Sequence, residues 1–151
     1  MMVHPLHRLC RAALPRMDER GHGKAVVFGS ATGLKALAGV LAYGAVRHAQ
    51  VGYVRAAGIE AARHNVQINL IAQNFVENPA YFPPEFTAID EFKQRLATHV
   101  PLGRLATAEE DALFALFLAS GESDFFVGQA TPLQWWLGAI VIMLLPVKFR
   151  A

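Results

Sequence analysis

The chain has 151 residues, of which 54% are hydrophobic and 17% charged, with a formal net charge of +2. That length suits one domain with one core, and the composition excludes a disordered chain. The basic residues are scattered, which excludes the clustered footprint of a nucleic-acid binder.

Met1–Met17 is rich in Arg and His and carries no acid, but it lacks the apolar core of a signal peptide. Leu6, Leu9, Cys10, Ala13, Leu14 and Met17 instead recur at i, i+3, i+4, i+7, which predicts a helix over residues 6–20. Gly21 and Gly23 break it. Cys10 is the only cysteine, so no intramolecular disulfide can form, which fits a reducing, cytoplasmic compartment. Cys10 has no evident partner base and is read as a core or interface residue. His4 and His7 lack a third ligand nearby and are read as a surface pair, not a metal site.

Lys24–Phe28 is Val-rich and too short for a helix, so it is read as a buried strand. Gly29–Gly39 is a small-residue loop that contains Ser30, Thr32 and Gly33. A long helix is predicted over residues 41–64, closed by Asn65, which tolerates the left-handed cap. Ala45, Ala49, Gly52 and Ala56 form a small-residue stripe on it that permits close approach of another helix or sheet. Val66–Ala72 is a second strand, and Gln73–Pro84 is an irregular loop with Phe75, Tyr81, Phe82 and three prolines.

A further helix over residues 89–99 stops before Pro101. Thr107 and Glu110 have capping-box spacing and open another helix that ends near Ser120-Gly121. Glu109, Glu110 and Asp111 are read as charges favoured by that helix N-terminus. Residues 128–133 form a candidate third strand. Strands alternating with helices predict an α/β fold with a parallel sheet of about three strands. Ligands of such folds lie at the carboxyl ends of the strands, where Ser30 and Gln73–Val76 fall together.

The most informative constellation is Ser30 with Tyr43 thirteen residues later and Arg47 four beyond that. Residues i and i+4 of a helix are surface neighbours, so Arg47 lies one turn from the Tyr43 phenol. A guanidinium fixed there is expected to favour the phenolate of a group that titrates near ~10 when free. Tyr43 then becomes a usable base, and Ser30 is placed to hold the oxygen that loses its proton. His48 is read as an ordinary helix residue, because it points in another direction.

The order strand, Ser30, Tyr43-x-x-x-Arg47, helix, strand and loop is followed by Pro101-Leu-Gly-Arg104, Phe117-Leu-Ala-Ser120 and Val127-Gly-Gln129. It resembles the C-terminal part of a short-chain dehydrogenase/reductase, over roughly residues 6–133. That superfamily normally has Lys where Arg47 stands. Arg47, with Asn65-Val-Gln-Ile-Asn69 and the segment Ala72–Pro84, resembles the halohydrin dehalogenases, a cofactor-free branch. The resemblance implies a partial Rossmann-like, three-layer fold over residues 1–134, with the N-terminal half of the usual domain missing. Residues 135–151 form an apolar tail that matches nothing in the family and is too short for an ordinary transmembrane helix.

The resemblance further implies a lyase that converts vicinal halohydrins to epoxides, with Ser30, Tyr43 and Arg47 as catalytic residues. It implies a halide pocket built from Gln73, Asn74, Phe75, Val76, Tyr81 and Phe82, with backbone N–H groups near Phe75 and Val76 facing the anion. No nicotinamide, other cofactor or metal is implied, and neither nucleic acid nor membrane is an expected partner. A homo-oligomer through the helices at 6–20 and 41–64 is. The alternatives are an NAD(P)-dependent reductase of the same superfamily and an inactive fragment.

Overall fold

The structure, a computed structural model, describes residues 2–133. The tail read at 135–151 lies outside the described residues. The elements run α1 (Val3–Arg20), β1 (Gly23–Phe28), α2 (Leu41–Ala62), β2 (Val66–Ala72), α3 (Pro84–Thr87), α4 (Asp90–His99), α5 (Ala108–Ala119) and β3 (Ala130–Pro132), with a 3-10 turn at Ala31–Gly33. The three described strands form one parallel sheet in the order β1-β2-β3.

Every residue of β2 is buried, because strands pair with both of its edges and α1 and α2 pack on it. Val66, Ile68, Leu70 and Ala72 meet Val51, Val54, Ala57 and Ala61 of α2 in the main core, and Leu6, Leu14 and Met17 of α1 close its margin. Alternate residues of a strand face opposite sides, which puts those four β2 residues on the helix side. The expected reach of α1 and its stop at Gly21 agree with the structure. Gly21 adopts φ 70° and its N–H donates to the Asp18 carbonyl. Asn65 likewise takes the left-handed conformation, with φ 56°.

Two expectations are corrected. β1 is not a buried strand: it is half-buried, and Phe28 at its end is 47% exposed. Its position at the edge of the described sheet explains this, since among the described residues only β2 pairs with it. The stripe Ala45, Ala49, Gly52 and Ala56 faces outward, not into the sheet. The close approach is made at Gly58, where an added Cβ would lie 2.6 Å from Gly128 Cα. That contact brings α2 against the segment leading into β3.

A second, smaller core joins Phe92, Leu96 and Val100 with Phe75, Phe82 and Leu105. It anchors the long loop after β2 to α4. No described helix is long and apolar enough to cross a membrane.

Candidate active site

Pairing between β1 and β2 continues past both strand ends. Gly29 N–H donates to the Ile71 carbonyl and Ala31 N–H to the Gln73 carbonyl, each at 2.8 Å. Ser30 is thereby pinned beside the start of the second loop. Its backbone is extended, and Ser30 Oγ lies 2.9 Å from Thr32 Oγ1 while accepting from Thr32 N–H at 3.3 Å. The following 3-10 turn sits directly on α2: a Cβ at Gly33 would lie 2.6 Å from the Arg47 carbonyl oxygen. The serine turn and the Tyr-x-x-x-Arg helix are therefore in backbone contact.

On α2, the Arg47 guanidinium carbon lies 5.0 Å from the Tyr43 ring centroid, over the ring. Arg47 Nη1 donates to Gln50 Oε1 at 2.9 Å, which fixes the fork, while Arg47 Nε is buried without a hydrogen-bond partner among the described residues. Tyr43 is 39% exposed and so remains reachable from solvent. His48 Nδ1 lies 2.9 Å from the Gly44 carbonyl oxygen of its own helix, which ties it away from the tyrosine.

Ser30, Tyr43 and Arg47 open onto one cavity of about 470 Å³, which Gln73, Asn74, Val76, Tyr81 and Phe82 also line. Eight of the nine expected site residues are thus brought together. Tyr81, 75% exposed, stands at the mouth. Asn74 Nδ2 is buried without a partner among the described residues.

Phe75 is the exception. Its ring stacks on His99 and packs 5.9 Å from the Phe82 ring, in the second core and off the cavity. The cause is a parallel bridge between Val76 and Ala106, in which Ala106 N–H donates to the Phe75 carbonyl and Glu77 N–H to the Ala106 carbonyl. That pairing makes the loop locally extended, so Phe75 and Val76 turn to opposite sides. The expected N–H cradle also needs correcting, because Val76 N–H is engaged by the Asn74 carbonyl at 3.2 Å.

Of the cavity residues outside the expected set, Asp111 is the buried carboxyl. Asp111 was read as a helix-terminal charge, yet it is only 7% exposed and lines the cavity. Its Oδ2 accepts a hydrogen bond from Gln73 Nε2, and its Oδ1 is buried without a partner among the described residues. Burial raises its pKa above the ordinary carboxylate value, and the Gln73 bond opposes that rise. The seven-residue spacing to Leu118, buried on the same helix, is the signal that places it on the inward face. Its neighbour Glu110 behaves as expected. It completes the capping box with Thr107 and takes both arms of Arg104, at 2.6 and 2.8 Å. Those bonds lower its pKa to about 2.

Among the described residues, no three His, Cys, Asp or Glu side chains are placed to hold a metal ion. His7 Nδ1 instead lies 3.3 Å from the Tyr53 hydroxyl, between α1 and α2.

The geometry has relatives. Residues 1–133 match the family model described as enoyl-(acyl carrier protein) reductase. Over 106 residues the chain is 34% identical to short-chain dehydrogenase srdC of Neurospora crassa, covering 70% of this chain and 39% of that one. Over 126 residues it is 32% identical to the 3-oxoacyl-(acyl-carrier-protein) reductase FabG of Chlamydia muridarum, covering 82% and 48% respectively. Among solved structures it is similar to a dehalogenation enzyme, with TM-score 0.79, 34% identity, and coverage of 86% of this chain and 53% of that one. It is also similar to the halohydrin dehalogenase HheC bound to ethyl (2S)-oxiran-2-ylacetate, with TM-score 0.78, 26% identity, and coverage of 87% and 56%. The chain spans about half the length of the proteins it matches, or less. With a family model matched over residues 1–133 and a short-chain dehydrogenase 34% identical over 70% of this chain, the chain belongs to the short-chain dehydrogenase/reductase superfamily.

Proposed function

We propose that the cavity performs halohydrin dehalogenase-type chemistry, in which a vicinal halohydrin closes to an epoxide with release of halide and a proton. The observation that carries this reading is Arg47, held over the Tyr43 ring and fixed by Gln50, where the superfamily normally has a lysine. Ser30 Oγ donates a hydrogen bond to the substrate oxygen. Tyr43, acting as the phenolate with the guanidinium beside it as counter-charge, takes the hydroxyl proton and becomes neutral, and that proton then passes to solvent. The alkoxide oxygen forms a bond to the neighbouring carbon as the carbon–halogen bond breaks, and the bonding pair leaves with the halide. Asn74 Nδ2, buried without a partner among the described residues, is a donor for the departing anion. Tyr81 and Phe82 line the same cavity. No hydride moves, so this reaction draws on no nicotinamide. The reverse reaction opens an epoxide with a small anion.

The test is a titration of halide and acid released from a vicinal chloro- or bromo-alcohol by the whole chain. Equal amounts of both products are expected, with a loss of at least about 100-fold in Tyr43→Phe. Release no faster than in Tyr43→Phe would sink the reading.

A second reading is a nicotinamide-dependent reductase, and one observation favours it: both curated relatives above are named as a dehydrogenase or a reductase. Tyr43 would then give a proton to a carbonyl oxygen held by Ser30 while the cofactor delivers a hydride. Oxidation of a reduced nicotinamide by a 3-oxoacyl thioester, with no halide released from halohydrins, would select it. Under either reading we propose a homo-oligomer in which the outward faces of α1 and α2 meet. Leu9 and Ile59 on those faces are 69% and 75% exposed. Sedimentation at rising concentration checks this, and a monomer throughout would exclude it.

A further inference from the structure

Asp111 is the one carboxyl of the cavity that water does not serve. Glu77, which lines the same cavity, is exposed. Asp111 sits in the first turn of α5, 7% exposed. Its two oxygens are unequal: Oδ2 is occupied by Gln73 Nε2, and Oδ1 is buried with no partner among the described residues. The cavity's guanidinium does not supply one: Arg47 Nη1 is turned to Gln50, and Asp111 Oδ1 has no partner on Arg47. Buried polar atoms in folded proteins are nearly always paired, and an orphan at a cavity wall calls for a ligand donor. A carboxylate oxygen is an acceptor, so the matching group is a hydroxyl or another N–H or O–H donor. Ser30, Thr32, Asn74 and Asn78 make much of the remaining lining polar. That favours a hydroxyl-bearing molecule over a purely alkyl one.

We infer that Asp111 Oδ1 accepts a hydrogen bond from a second hydroxyl of the substrate, so that the cavity selects halohydrins that are also polyols. Gln73 is the positioning residue, holding the carboxyl by its other oxygen. The inference rests on the dehalogenase reading for its halogen and on the cavity alone for its hydroxyl. It also orients the substrate, because a carboxylate repels a departing halide and receives the hydroxyl end.

The experiment compares 3-chloropropane-1,2-diol with 1-chloropropan-2-ol on the whole chain, in wild type, Asp111→Asn and Asp111→Leu. Wild type is expected to favour the diol in kcat/KM by about tenfold, the scale of one hydrogen bond to a charged group. The ratio between the two substrates is expected to fall to near one in Asp111→Asn, where an amide donor replaces the acceptor oxygen. A merely structural role would lower both rates and leave the ratio alone. Asp111→Leu gives the same reading should the asparagine variant fail to fold. Equal handling of both halohydrins by wild type, or an unchanged ratio in a folded variant, would overturn the inference. If neither compound releases halide, the dehalogenase reading fails and binding decides the rest. The Gln73 side-chain amide resonances should then shift more with the diol than with the mono-alcohol, and identical shifts would overturn the role of Asp111.

Discussion

The cavity has two walls built in different ways. One, carrying Ser30, Tyr43 and Arg47, is tied to the core through backbone. Gly29 bonds to Ile71 of β2 and Ala31 to Gln73 just beyond it, Gly33 rests on the Arg47 carbonyl, and α2 buries Val51 and Val54 one to two turns further on. The other, from Gln73 to Phe82, is held by a single bridge at Val76, by aromatic packing on α4 and by the Gln73–Asp111 bond. Regular backbone fixes the groups proposed to move a proton, and side-chain contacts fix the groups proposed to choose the substrate. Precise geometry matters most for proton transfer, whereas a wall made of side chains changes its shape with single substitutions.

Leu70 lies beneath the backbone wall and gives the largest expected effect. It is fully buried in β2, and its methyl groups fill the space against Gly29, where an added Cβ would come within 2.6 Å. Leu70→Ala is expected to cost about 2–5 kcal/mol in denaturant unfolding. A smaller loss would mean that the strand ends relax and that the backbone wall is softer than described. Gly33→Ala is next and separates the walls. Its new methyl would meet the Arg47 carbonyl oxygen at 2.6 Å. Overpacking of this kind costs about 1–3 kcal/mol, and here the strain falls on the proposed proton-transfer wall. Halide release should fall further than the melting temperature alone explains. Full activity in a destabilised Gly33→Ala would break the claim that this contact positions Arg47.

Thr107→Ala probes the other wall. The Thr107 hydroxyl caps α5 by accepting from Glu110 N–H at 3.2 Å. Its loss should cost about 1 kcal/mol. Amide exchange should quicken in the first turn of α5 and in the Gln73 loop, while residues 26–33 keep their protection. Uniform loss of protection across both walls would show that they unfold as one unit.

The backbone wall was legible in the sequence because periodicity and spacing encode it. Tyr43 and Arg47 share a helix face by their four-residue spacing, and the apolar runs Lys24–Phe28 and Val66–Ala72 deliver both loops to one sheet edge. Thr107 and Glu110 announced their cap three residues apart, and the structure shows both of its bonds. The side-chain wall was less legible. Phe75 carries the same chemistry as Phe82, and only the non-local bridge of Val76 to Ala106 decides which ring meets the cavity. Asp111 sits among three consecutive acids whose composition reads as a solvated helix start. Burial by α5 packing against β1 is a tertiary fact. β1 misled for a related reason: a Val-rich strand reads the same at a sheet edge as at its centre.

The finest test sets two adjacent carboxyls of α5 against each other. Glu110 is exposed and bonded to Arg104 and Thr107, which lower its pKa from the ordinary 4.5 to about 2. Its contribution to stability is therefore present above pH 4.5 and is lost as the pH falls from 4.5 towards 2. Asp111 is buried, and its pKa is raised above the ordinary 3.8. The folded chain holds that proton more tightly than the unfolded chain, so stability falls as the pH rises through 3.8 and beyond. Melting temperatures followed from pH 2 to 7 (an experimental range of about that width) should thus show opposite trends. Glu110→Gln should melt below wild type near neutrality and converge with it in acid. Asp111→Asn should start level in acid and gain on wild type as the pH rises. The Glu110 effect should be small, because an exposed ion pair is screened by solvent. Parallel trends in the two variants would mean that Asp111 is solvated like its neighbour and that the side-chain wall lacks the buried acceptor on which its selectivity depends.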